Sequence, residues 1–413
     1  RRHWAMPRHA SKFTTAHSGP AAASHARADA AASDAMMWHT TGCSGLCFAC
    51  NMHLPDAPTI YQAERTDGAG SSLTSMLNTA AYAARRGWNY GGIVRNTGAN
   101  STAREVLGSI AAGKPVASPL RMTGHGMEFD PFVEFYLGSS RRLIHDAIAR
   151  PNGTTVIRLK TKFNPATGGS KPMIEEMTTK IRLVTDPLPR YHTIVLPGTY
   201  MDLNHFIHDG TDTYDEFYTG AFRSALRASA ACSLSKQRTW YFRPGRPSVA
   251  IHVRRGDVTP ARHPQRFTDD AFYYNLARVI QDHLPNADIH VFSSTRDQFR
   301  RGEKNHSLAN ANNRDVLHPS RSFDGYRERG MSVHLDGDPL EATAHMMTAQ
   351  VLVTAKSAFS WLPALFNPHC IIFQPFAGSS FRRLHHWAVA DDIANVSRAL
   401  PACLGGWGTP QAA

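Results

Sequence analysis

Acidic residues are in short supply: 33 Asp and Glu stand against 45 Lys and Arg, a formal net charge of +12. That imbalance suits an anionic partner such as phosphate, nucleic acid or a membrane, without choosing among them. Cysteine is also scarce. Six residues (Cys43, Cys47, Cys50, Cys232, Cys370, Cys403) in 413 exclude a disulfide-built scaffold, yet leave room for one or two bridges in an oxidising compartment. No apolar run approaches the roughly eighteen residues that cross a bilayer. Membrane contact is therefore expected only through an anchor upstream of Arg1, where the chain opens without a Met. No repeat of solenoid period occurs.

At this length two α/β domains and a tail are expected. The stretch Arg1 to Asp34 has no acid before Asp29 and is rich in Ala, Ser, His and Arg, as in a transit peptide or flexible stem. Residues 1–52 are read as a low-complexity tail expected to be disordered. Within it Cys43-x3-Cys47-x2-Cys50 has iron–sulfur spacing, but without repeated βα units it reads as a chance cluster or local disulfide. Asn-x-Ser/Thr sequons at Asn100, Asn152, Asn305 and Asn395 would accept glycans in a secretory lumen.

Residues 53–243 read as an N-terminal α/β domain. It has strands at 58–62, 88–94, 154–159 and 192–196, and helices at 71–86, 102–112 and 213–232. Phe242-Arg243-Pro244-Gly245-Arg246-Pro247 breaks any helix just ahead of a β-branched run, so the junction is placed there. Residues 244–402 then alternate strands (249–253, 289–292, 332–335, 351–353, 370–373) with helices (269–283, 339–348, 358–366), the pattern of a parallel, doubly wound sheet. Residues 403–413 are read as a tail.

Positive charge concentrates between Lys236 and Arg266, where Asp257 is the sole acid. The chemistry sits in Ile251-His252-Val253-Arg254-Arg255-Gly256-Asp257, where an apolar strand ends in two guanidinium groups at the edge where open α/β sheets bind ligands. A guanidinium gives phosphate two parallel hydrogen bonds and keeps its charge. Side chains alternate along a strand, so one arginine should meet the ligand while the other pairs with Asp257 or the loop. Arg254 is expected on phosphate, with Arg255 supporting.

His252-Val253-Arg254-Arg255-Gly256-Asp257 is similar to the His-x-Arg-Arg-x-Asp signature shared by α1,2-, α1,6- and protein O-fucosyltransferases. A second block, Asp338-Pro339-Leu340-Glu341 through Ser357-Ala358-Phe359-Ser360-Trp361, resembles a later donor-site motif of the same superfamily. There Ser357 would offer its hydroxyl, and Ala358 and Phe359 their N–H groups, to an anion at a helix N-terminus. Ser360 joins that motif or is a packed small residue.

The resemblance implies a GT-B-like fold, two Rossmann-like domains facing a cleft, with residues 53–243 on the acceptor side. It implies an inverting glycosyltransferase moving fucose from GDP-fucose to a glycan or glycosylated acceptor. It further implies that His252 contacts guanine or its ribose and that Glu341 recognises guanine N–H groups. The chain departs from the pattern at Ala342, where the family's Asp falls, and at Ser294-Thr295 in place of an acidic pair. Gly68-Ala69-Gly70 resembles the glycine-rich first turn. Inverting transfer needs a base, and Asp67 on that turn is the candidate, with Glu64 the substitute; both also suit turn or cap roles.

With two arginines neutralising the diphosphate no metal is expected, and Asp336-Gly337-Asp338 reads as a strand-to-helix turn rather than a chelating Asp-x-Asp. A Golgi or secretory location goes with the resemblance; cysteine usage leaves organellar and cytoplasmic ones open. The competing reading is a catalytically inactive nucleotide-sugar or glycan-binding relative. A nucleic-acid module is set aside, since no aromatic-rich motif or zinc spacing supports it.

Overall fold

The computed structural model describes residues 57–63, 69–94, 129–138, 144–145, 154–156, 193–196, 215, 217–237, 239–295, 318–376 and 382–405. All of them lie in one compact unit, Leu46–Ala413. The first sheet is built from β1 (Thr59–Ala63), β2 (Asn89–Val94), β3 (Ile144–His145), β4 (Thr154–Val156) and β5 (Thr193–Leu196). They lie in the order β3-β2-β1-β5-β4, and every pairing is parallel. Helices α1 (Ala69–Arg86), α2 (Phe129–Leu137) and α3 (Gly220–Ser235) accompany it.

The second sheet contains β6 (Ser248–His252), β7 (Asp288–Ser293), β8 (Ser332–Leu335), β9 (Val351–Val353), β10 (Cys370–Phe373) and β11 (Ala388–Val389). Its order is β11-β10-β9-β6-β7-β8, again parallel throughout. The chain starts at β6 in the middle, adds two strands to one side, then crosses to β9 on the other. The switch point between β6 and β9 is where an open sheet of this kind leaves a crevice at the strands' carboxyl ends. Its helices are α4 (Asp270–His283), the short α5 (Asp324–Arg327), α6 (Pro339–Thr348), α7 (Ala358–Phe366) and α8 (Ile393–Gly405). The α/β architecture with two parallel sheets expected from the sequence is therefore the one observed.

Strand alternation divides the core. Val249, Ile251 and Val253 face one cluster with Leu276 and Ile280 of α4, whereas Ala250 joins a second cluster with α6, α7, α1, α2 and α3. In that second cluster Tyr136 of α2 lies 4.9 Å from Phe366 and Tyr218 lies 6.0 Å from Trp361. Helices of the first half thus pack on helices of the second through aromatic side chains, each contributing on the order of 1.5–3 kcal/mol by burial. The polar face of α1 is buried too, and Ser75, Asn78 and Thr79 on it are hydrogen-bonded. Gln62 Nε2 donates to Ser75 Oγ at 2.7 Å, Thr79 Oγ1 donates to Gln62 Oε1 at 2.6 Å, and Tyr218 OH donates to Asn78 Oδ1 at 2.5 Å.

Several boundaries differ from expectation. α3 begins at Gly220 because Thr219 caps it, accepting the Phe222 N–H at 3.3 Å. α2, β3, α5, β11 and α8 were not anticipated, and α8 runs past residue 402, tied to β10 by the Cys370–Cys403 disulfide. Pro401 lies inside it, and an interior proline ordinarily signals the end of a helix. The expected helix at 102–112 and three sequons lie outside the described residues. Among those described, no helix is long and apolar enough to cross a membrane.

The segment joining α3 to β6 is pinned by imidazoles. The Tyr241 ring stacks on His334 at 4.1 Å and His345 at 4.4 Å, while its N–H donates to His345 Nε2 at 2.9 Å. His345 Nδ1 donates to the Glu341 carbonyl at 2.8 Å, and Tyr241 OH donates to Glu341 Oε2 at 2.6 Å. His290 Nδ1 and His334 Nε2 lie 2.8 Å apart, so only one proton fits between them. Beside them the buried Asp288 accepts from Arg243 N at 2.7 Å and Nε at 2.8 Å.

Burial lowers the pKa of His290, His334 and His345, that of His334 to about 4. These histidines fold neutral, and each contributes stability that is complete above the unfolded value of 6.5 and is lost as pH falls through the folded one. Thermal melting followed from pH 7.5 to 5 should show a falling midpoint. The acid slope should be shallower in His345→Gln, which keeps a hydrogen-bonding side chain that does not titrate.

Candidate functional site

β6 ends at the switch point, and the next residues keep its alternation. His252 and Arg254 share the face of Ala250, whereas Arg255 follows Ile251 and Val253 towards α4. Arg255 is 5 % exposed. Its Nη2 pairs with Asp270 in the first turn of α4 and donates to the Thr268 carbonyl at 3.0 Å, while its guanidinium stacks on Phe267 at 4.4 Å. Asp270 also accepts from Tyr326 OH at 2.6 Å. Gly256, at φ +66°, makes the turn that releases the chain from the strand.

Arg254 points the other way. Its Nη2 donates to Asp257 Oδ1 at 2.6 Å and its Nη1 reaches Ser357 Oγ at 3.4 Å. Asp257 thus pairs with Arg254 rather than with Arg255, because alternation sends Arg255 to Asp270. Ser357 is the N-cap of α7 and accepts the Phe359 N–H at 3.3 Å. The first turn of α1 approaches from the other side: a Cβ on Gly70 would lie 3.2 Å from Ala358 Cβ and 3.3 Å from Phe359 N. Two helix N-termini, each equivalent to about half a positive charge, therefore meet next to the Arg254–Ser357 contact.

Two buried nitrogens at this place, Arg254 Nε and His252 Nδ1, have no hydrogen-bond partner among the described residues. Buried polar atoms are ordinarily paired, so such atoms mark a place for a missing partner. Burial, reinforced by Arg254, pushes the His252 pKa down to about 3. At neutral pH the imidazole is uncharged, with one ring nitrogen a donor and the other an acceptor. The Phe359 ring lies edge-on to it at 5.4 Å. The site can accordingly hold an oxyanion between a guanidinium, a hydroxyl and helix amides, next to a neutral hydrogen-bonding ring.

The remaining expected residues are placed differently. Ser360 is fully buried and accepts the Ala355 N–H at 2.9 Å, the packed small-residue role. The Glu341 carboxylate is engaged by Tyr241, whose phenol is pushed up to about 12 by burial and by Glu341. Asp336, at φ +54°, accepts from Thr295 N at 2.9 Å and Ser294 Oγ at 3.0 Å, and Asp338 caps α6 through the Leu340 N–H at 2.8 Å. Asp336-Gly337-Asp338 is thus a strand-to-helix turn. Asp67, Glu64 and Gly68 lie outside the described residues. Sequence reading missed Asp270 as the partner of Arg255; the trace it left was an acid directly after the Asp269 cap of α4.

No family model matches the chain, and no curated protein matches it in sequence. Among solved structures it aligns with POFUT1 in complex with GDP at 11 % identity and TM-score 0.30, covering 78 % of this chain and 99 % of that one. It aligns with E. coli heptosyltransferase WaaC with ADP at 10 % identity and TM-score 0.35, covering 84 % and 99 %. A mutant of Arabidopsis thaliana FUT1 in complex with GDP aligns at 11 % identity and TM-score 0.35, covering 78 % and 71 %. Likenesses this distant assign no activity.

The opposite orientations of the two arginines separate their effects on stability. Arg255→Ala strands Asp270 and should cost about 3 kcal/mol, the low end for a broken buried pair because Asp270 is partly exposed. Arg254→Ala should cost less, about 1–2 kcal/mol, because Arg254 is the less buried of the two arginines and its removal also takes away the unpartnered buried Nε. Urea denaturation of the two variants beside the parent protein measures the difference.

Proposed function

We propose that this chain is a glycosyltransferase whose donor diphosphate binds between Arg254, Ser357 and the first turn of α7. The observation that carries the reading is the Arg254–Ser357 contact at 3.4 Å, beside unpartnered Arg254 Nε and His252 Nδ1, at the switch point of a parallel sheet. A pyrophosphate there would receive charge-assisted bonds from Arg254 and hydrogen bonds from Ser357, Ala358 and Phe359. These groups would stabilise the charge that develops as the sugar leaves. Arg255 acts one step back, holding the loop through Asp270, and Asp257 orients Arg254.

The finer proposal is an inverting transfer of fucose from GDP-fucose to a glycan or glycosylated acceptor, without a metal. It rests on the His252 to Asp257 motif. In it His252 meets the guanosine, Glu341 recognises guanine N–H groups while sharing its carboxylate with Tyr241, and Asp67 takes the acceptor proton. A secretory-lumen location belongs to the same proposal, and the Cys370–Cys403 bridge supports it. A second reading, a nucleotide-sugar-binding relative without turnover, is favoured by the Asp257 carboxylate that already neutralises Arg254.

Calorimetry with GDP, UDP and a generic oligonucleotide tests the first point. GDP should bind in the presence of a chelator, and Arg254→Ala should weaken it about 10- to 100-fold, the worth of a charged hydrogen bond. Ser357→Ala should weaken it less. Absence of GDP binding, or tight salt-sensitive oligonucleotide binding, would refute the proposal. GDP-fucose hydrolysis and transfer assays separate the enzyme from the inactive relative.

A further inference from the structure

A second cluster of cationic side chains lies on the flank of α3. Arg223 and Arg227, one helical turn apart and so on one face, are both half-buried. Arg223 Nη1 lies 3.2 Å from His386 Nε2, and its Nε is buried without a partner. Among the described residues Arg227 has no hydrogen-bonded or ion-paired partner. Arg383, whose Nη1 donates to the His385 carbonyl at 3.0 Å, adds a third guanidinium. The acid facing this group is Asp215, and both its oxygens are engaged by His385, Oδ2 by the backbone N–H at 2.8 Å and Oδ1 by Nδ1 at 2.6 Å.

Asp215, His385 and His386 bring their ligand atoms within 4.8 Å of one another, a spacing that could hold a metal ion. The surrounding charge argues against a cation. Arg223 occupies one nitrogen of His386 and places a fixed positive charge against it, with Arg227 behind. Burial and these arginines pull the His386 pKa down to about 4, so its ring is a neutral acceptor for Arg223. The buried Arg223 Nε is unfavourable unless a partner completes it, and two neighbouring guanidinium groups make an anion the partner that fits.

We propose that Arg223 and Arg227, flanked by His385, His386 and Arg383, form a binding site for the anion of a phosphate or sulfate monoester. The site is separate from the Arg254 site. Arg227 acts on His369, which precedes β10 at the amino edge of the sheet, whereas Arg254 and Ser357 follow the carboxyl ends of β6 and β9. It is independent of the donor reading.

The test uses inorganic phosphate as the probe, at constant ionic strength set with chloride, on protein carrying Arg254→Ala so that the donor site does not contribute. Calorimetry should give saturable phosphate binding, at least tenfold weaker when Arg223→Gln and Arg227→Gln are added. GDP binding by the otherwise unaltered protein should be unchanged by that glutamine pair. Glutamine keeps the helix and the side-chain length, and a retained melting midpoint shows that the variant is folded. Vesicles of phosphatidylcholine with and without phosphatidic acid distinguish a lipid headgroup from a free ester, since only the former gives cosedimentation. Phosphate binding that is absent, or unaffected by the glutamine pair, overturns the proposal. So does Zn2+ binding that is lost in Asp215→Asn.

Discussion

Consecutive residues leaving a β-strand must point to opposite faces, and the site is organised by that constraint acting on Arg254 and Arg255. One arginine is driven into the layer between sheet and α4, where Asp270, the Thr268 carbonyl and Phe267 receive it. The other is thereby held on the face that looks towards α7 and α1. An isolated exposed guanidinium would sample many rotamers; here Asp257 on one nitrogen and Ser357 on another restrict it. The buried arginine is scaffold, and its neighbour is what the scaffold presents.

The second sheet could be read residue by residue because its strands are short apolar runs of Val, Ile and Leu with clear caps between them. Ser332–Leu335, Pro339–Thr348, Val351–Val353, Ala358–Phe366 and Cys370–Phe373 fall where the pattern places them. The elements that escaped are those whose signal is tertiary or contradictory. β11 is two residues held by one neighbouring strand, and α8 contains a proline. In the first half, α1 carries a polar face that belongs inside because Gln62 and Tyr218 meet it there, a fact no periodicity reveals.

The same division holds at the site. Arg254 and Ser357 were legible because each stands at an element boundary with its own chemistry, and the structure brings them together across 103 positions of chain. What the motif could not show is which acid pairs with which arginine, or that Glu341 is engaged by a tyrosine from the connecting segment. Nor could it show that three histidines of the second half stack around Tyr241. These are consequences of packing among elements far apart in sequence, and each depends on geometry that only the folded chain supplies.

Gly70 joins the two halves at one point. Its missing side chain lets α1 rest against the backbone of α7, a few tenths of an ångström tighter than an ordinary methyl would permit. A change in the tilt of α1 would therefore bear directly on Ala358 Cβ and the Phe359 amide, with no side chain between the two helices to absorb it.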